Sequence, residues 1–117
     1  MREIDERITI ITNACIDKKA FDMKVLDIKG LTAVTDYFVI VSGNSTIQTT
    51  TIADSVEEKM LEAGYDILGK EGYQSARWIL LDFGDIIVHV FHREDREFYN
   101  LEKLWADGEE LDVDTVF

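Results

Sequence analysis

R-W-I-L-L-D-F-G-D-I-I-V-H-V-F-H, residues 77–92, is the stretch whose pairing decides the fold. Two apolar runs rich in β-branched side chains flank Gly84-Asp85 without a proline, and a glycine in the first loop position suits a type II′ hairpin. A two-residue loop sets the register. It places Phe83 opposite Ile86, Leu81 opposite Val88, Ile79 opposite Val90, and Trp78, Leu80 and Asp82 opposite Phe91, His89 and Ile87. The two faces then differ. Ile79, Leu81, Phe83, Ile86, Val88 and Val90 form an apolar face that belongs against helices; the other mixes Trp78, Leu80, Ile87 and Phe91 with Asp82 and His89, a surface to be covered by something else.

Outward from the hairpin, residues 3–19 place Ile4, Ile8, Ile11 and Cys15 at helical spacing, predicting an amphipathic first helix with Cys15 as a small core residue. Residues 23–28 alternate apolar and charged side chains, as a short edge strand does. Residues 36–42 are apolar between polar ends, the pattern of a central strand covered on both faces. Ser45 with Gln48 makes a capping box for a helix carrying Ile52, Val56 and Met60 and stopping at Ala63-Gly64. Residues 65–68 are expected as another short strand, followed by a loop over 69–72. Residues 93–105 read as one or two helical turns with Phe98, Leu101, Leu104 and Trp105 on one face. The expected fold class is α/β (α+β), a mixed sheet of four to five strands with helices packed on it. With only three helices, one face of that sheet is expected to stay partly open.

At 117 residues the chain is expected to be one domain over residues 1–105, followed by an acidic tail over 106–117 that is mobile or loosely docked. The lone Cys15, the absence of a leader and of a long apolar run, and the formal charge of −12 point to a cytoplasmic protein without a membrane span. Twenty-four acids against twelve basic residues oppose direct binding of free nucleic acid and favour a basic protein as partner.

Candidate chemistry does not assemble. Asp82-Phe83-Gly84 matches the kinase magnesium tripeptide, but no Gly-rich phosphate loop accompanies it, so it reads as a hairpin turn. His89 and His92 stand three apart on a strand and so face opposite ways; neither metal chelation nor a catalytic triad follows, and each is expected at a surface or interface. The strand-turn-helix at Ser42-Gly43-Asn44-Ser45 is similar to the opening of the nucleotidyltransferase fold and could receive an anion. Yet no Asp-x-Asp follows, and Asp54 is alone nine residues down the helix. Catalytic residues, metal and cofactor are therefore expected to be none, with a nucleotide-binding or nucleotidyltransferase-like enzyme as the alternative.

The runs T-D-Y-F-V-I-V-S-G-N-S (35–45), I-A-D (52–54), E-G (71–72), W-I-L-L-D-F-G-D-I-I-V-H-V-F (78–91) and R-E-F-Y-N-L-E-K-L-W (96–105) resemble the ribosomal silencing factor, or Iojap, family. The resemblance implies a non-enzymatic translational repressor that binds the large ribosomal subunit on its fourteenth ribosomal protein and blocks joining of the small subunit when nutrients run short. It implies also a nucleotidyltransferase-like layer without the active site, and a homodimer when free. The binding surface is expected to centre on Trp78, Leu80, His89 and Phe91, with Asp82 offering charge to a basic partner. Arg96, Tyr99 and Glu102, three apart, are expected to border it from the last helix.

Overall fold

The computed structural model describes residues 5–99 and 109–110, with side chains over 5–96. Helix α1 (Glu6–Asp17) starts where Asp5 caps it, the carboxylate accepting from the Arg7 amide at 2.9 Å. Ile8, Ile11 and Cys15 of the expected stripe are buried; Ile4 lies outside the described residues. Lys19, at φ 64°, turns the chain into β1 (Phe21–Asp27). A bulge between Phe21 and Lys24, with Asp22 at φ 51°, breaks the pairing there.

Strand β2 (Tyr37–Gly43) is buried at every position after Tyr37, as an apolar run covered on both faces requires. Ser45 then caps α2 (Thr46–Glu62), its Oγ accepting from Gln48 N at 3.0 Å. The return bond differs from a standard capping box. Gln48 Oε1 accepts from Asn44 N at 2.6 Å, one residue before the cap, and Nε2 donates to the Lys18 and Lys19 carbonyls. Gln48 thereby fastens the start of α2 to the end of α1. The threonine run, weak by propensity, is satisfied locally: Thr50 and Thr51 hydroxyls donate back to the Ile47 carbonyl.

The expected strand over 65–68 is not one, while 69–71 of the expected loop form one. Gly64, at φ 94°, reverses the chain, and Tyr65 and Ile67 are used to pack against the helix-side core. Pairing begins only where an open sheet edge is within reach, at Leu68 N to Asp82 O, 2.7 Å. Strand β3 (Gly69–Glu71) therefore carries polar side chains on an edge, held by its backbone.

Strands β4 (Trp78–Asp82) and β5 (Ile86–His92) form the hairpin in the register read from the sequence. Gly84, at φ 91°, takes the tight turn, closed by Phe83 N to Ile86 O at 2.9 Å. Helix α3 (Arg93–Tyr99) follows at once, and β6 (Glu109–Glu110) pairs with Leu26 and Asp27 of β1. The sheet order is β3-β4-β5-β2-β1-β6, with β2 and β5 parallel and the other pairs antiparallel. This is the expected mixed sheet of five strands, extended by a two-residue sixth from the acidic end. Helices α1 and α2 cover the face bearing Val39, Val41, Ile79, Leu81, Val88 and Val90. Cys15, wholly buried there, has its thiol pushed up to about 12 by desolvation.

Candidate protein-binding face

The second face of the sheet carries Leu26, Ile28, Phe38, Ile40, Ile87 and Phe91, with Trp78 and Leu80 packed against them. The register sets its rows. Phe91 lies between Trp78 and Ser42, His89 between Leu80 and Ile40, and Ile87 between Asp82 and Phe38. Trp78 stacks on Phe91 at 5.0 Å and 23°, and its indole N–H donates to His89 Nδ1 at 3.1 Å. His89 in turn meets Phe38 edge-on at 4.7 Å. An indole half-buried at the rim is thus held by stacking on Phe91 and by a hydrogen bond to His89.

That hydrogen bond fixes the imidazole's chemistry. Since Nδ1 accepts, the proton of the neutral ring sits on Nε2, which is buried with no hydrogen-bond partner. Charging a ring that is 3% exposed costs desolvation, and burial lowers the His89 pKa to about 4. His89 is neutral at physiological pH.

The structure places the expected contact residues unequally. Trp78, Leu80 and Asp82, on β4, are partly exposed. Asp82 also shapes the hairpin, Oδ1 accepting from Gly84 N at 2.8 Å. His89 and Phe91 are not surface residues: β5 is flanked by β4 and β2 and is buried at every position. They position Trp78 from below. The second face is likewise not open at its centre, contrary to the expectation from helix number.

Arg96 is also buried, its Nη1 donating to Ser42 Oγ at 2.9 Å. The reason is local: α3 follows β5 without a loop and turns Arg96 back to the face where Ser42 lies beside Phe91. The side chains of Phe98 and Tyr99, and all of Leu101, Glu102, Leu104 and Trp105, lie outside the described residues. His92 is buried rather than at a surface; its Nδ1 accepts from Glu94 N at 3.2 Å, capping α3.

Two supports of Trp78 escaped the sequence reading. Gly72 sits at φ 76°, and a Cβ there would overlap the Trp78 carbonyl oxygen. Arg77 clamps Asp95 through Nε at 3.2 Å and Nη2 at 2.6 Å, tying the start of β4 to α3. The register of the hairpin gives neither, because both depend on the loop before β4.

The strand-to-helix junction at Gly43 is closely packed. A Cβ on Gly43 would stand 3.1 Å from Thr49 Cγ2 and 3.3 Å from Thr49 N, and the Ser42 hydroxyl is engaged by Arg96. Among the described residues, no group of three or more His, Cys, Asp or Glu is arranged to hold a metal. No helix among them is long and apolar enough to cross a membrane.

The family model described as "Ribosomal silencing factor during starvation" matches residues 1–117. The chain belongs to the ribosomal silencing factor family. It is 45% identical over 107 residues to ribosomal silencing factor RsfS of Bacillus subtilis (strain 168), covering 92% of this chain and 91% of that one. It is 42% identical over 111 residues to RsfS of Halalkalibacterium halodurans, covering 95% of each. A crystal structure of a Chromobacterium violaceum protein superposes with a TM-score of 0.86 at 36% identity, covering 98% of this chain and 97% of that one. The family-like runs have distinct places in the fold. Residues 35–45 carry β2 and the cap of α2, Glu71 ends β3 with Gly72 following beside Trp78, and 78–91 lie in the hairpin.

Proposed function

We propose that this chain is a cytoplasmic, non-enzymatic translational repressor that docks on the large ribosomal subunit and blocks joining of the small subunit by occupying space. Family membership supports ribosome-associated regulation of translation. The contact is the subunit's fourteenth ribosomal protein, and the docking element is the β4 rim of the second face, with Trp78, Leu80 and Asp82 touching the partner and His89 and Phe91 holding the indole. Tyr99 and Glu102 extend the contact from the last helix. The observation that carries the reading is the Trp78 indole, half-buried at the rim and locked by Phe91 and His89, since pre-ordered aromatic anchors dominate protein interfaces. A formal charge of −12 favours a basic protein over ribosomal RNA as the contact. Residues 1–105 form the docking domain, the acidic 106–117 form a tail, and the free chain pairs with itself. Co-sedimentation with purified large subunits, run beside a nucleotide-binding titration, tests this: binding to subunits without nucleotide is expected, and nucleotide binding without subunit binding would overturn it.

A further inference from the structure

The loop that delivers the chain into β4 is built against its own backbone preference. Gly72, at φ 76°, and Ala76, at φ 60°, both lie in the left-handed region, and Ala76 N closes the turn between them by donating to Gly72 O at 2.9 Å. Glycine takes such a φ freely; alanine resists it, because its Cβ crowds the following carbonyl oxygen. Ala76 is nevertheless only 3% exposed, with its methyl in the helix-side core. A strained conformation persists only where the surroundings over-determine it. Here they do so from α2. The wholly buried Thr49 has its hydroxyl 2.7 Å from the Ala76 carbonyl and 2.9 Å from the Thr46 carbonyl. A hydroxyl has one proton to give, and the Thr46 carbonyl also accepts from the Thr50 hydroxyl at 3.1 Å, so the Thr49 proton serves Ala76. Tyr73 adds a second tie from the same loop, its hydroxyl donating to Asp54 of α2 at 2.9 Å. Past Ala76 the chain is in the sheet: Arg77 O accepts from His92 N at 2.8 Å, and the Trp78 carbonyl packs on Gly72.

We propose that residues 72–77 are the mount of the Trp78 indole and that Thr49 is its positioning residue. The Thr49 hydroxyl holds Ala76 left-handed, and that conformation sets the direction in which the chain enters β4 two residues before the indole. Without the hydroxyl, Ala76 relaxes toward negative φ, the start of β4 turns with it, and the indole N–H leaves its line to His89 Nδ1. A buried helix residue on the covered side of the sheet thereby controls a side chain on the other side. The consequence for binding rests on the docking reading above: Thr49, which reaches no surface, becomes a determinant of subunit affinity. The hold on the indole itself does not depend on that reading.

The test reads two quantities: solvent exchange of the Trp78 indole proton by NMR, its resonance assigned from Trp78→Phe, and binding to purified large subunits. The proteins are the wild type, Thr49→Val, Thr49→Ser, Tyr73→Phe and Ile11→Val. Valine keeps the shape of threonine without the hydroxyl, and Ile11→Val lowers stability from the core side of α1. Thr49→Val is expected to speed indole exchange about tenfold and to weaken subunit binding about fivefold, since a buried carbonyl loses its donor. Thr49→Ser, which keeps the donor, and Ile11→Val should each stay within about twofold of wild type in both. Tyr73→Phe should move both in the direction of Thr49→Val, by less. Indole exchange unchanged in folded Thr49→Val, or raised as much by Ile11→Val, would overturn the mount. Faster exchange with unaltered subunit binding would support the mount and overturn Trp78 as the docking anchor. No binding by the wild type would overturn the docking reading alone, with exchange still deciding the mount. Should Thr49→Val fail to fold, unchanged exchange in Tyr73→Phe would overturn the mount instead.

Discussion

Acidification should loosen the second face through one residue. His89 is neutral in the fold with its pKa lowered to about 4 by burial, against the ordinary 6.5 of an unfolded histidine. Between those values the unfolded chain binds the proton and the folded one does not, so stability is complete above pH 6.5 and is lost as pH falls toward 4. At 1.36 kcal/mol per unit, the full shift corresponds to roughly 3 kcal/mol, of which about 2 kcal/mol is already lost at pH 5. Urea unfolding followed by tryptophan fluorescence, at pH 7.5 and 5.0, measures this. Carboxylates titrate in the same range, so the comparison is with His89→Gln, whose amide oxygen can still accept from the Trp78 N–H but takes up no proton. The wild type should lose about 2 kcal/mol more than the variant between the two pH values. Equal losses would refute a neutral, buried His89 and the packing that places Phe38, Phe91 and Trp78 around it.

Gly72→Ala should destabilise by about 2 kcal/mol or more in urea unfolding, because the new methyl meets the Trp78 carbonyl and L residues resist the positive φ. Arg96→Ala should cost roughly 1–3 kcal/mol of stability by removing the donor to buried Ser42; a change in subunit binding with unaltered unfolding would return Arg96 to the docking surface. Cys15 should resist a thiol reagent in the native protein and react at the rate of unfolding, since it is both buried and held as a thiol. Rapid native labelling would contradict that burial.

The hairpin was legible because one glycine and two alternating runs determine its register, and register alone sorts Trp78, Leu80 and Asp82 from Ile79 and Leu81. Helix α2 was legible through Ser45, although the second half of its cap goes to Asn44, a choice that depends on how α1 ends. Strand β3 was not legible, since a short edge strand of glycine, lysine and glutamate is stabilised by the backbone of β4 and leaves no hydrophobic pattern. The burial of His89, Phe91 and Arg96 was hidden for a related reason. Alternation along β5 tells which face a side chain takes, but whether that face is covered depends on the neighbouring strands and on the turn into α3.

The central claim, occupancy of the joining face through a rim anchored on Trp78, is tested most directly by following association of purified large and small subunits by light scattering while titrating the protein. Inhibition should rise in proportion to occupancy and saturate at about one copy per large subunit, without added nucleotide. Trp78→Ala, still folded, should shift the curve by the equivalent of about 2 kcal/mol or more. Inhibition of excess subunits by substoichiometric protein, or inhibition that persists after the protein is removed, would contradict a steric mechanism; an unshifted curve for folded Trp78→Ala would contradict the docking rim.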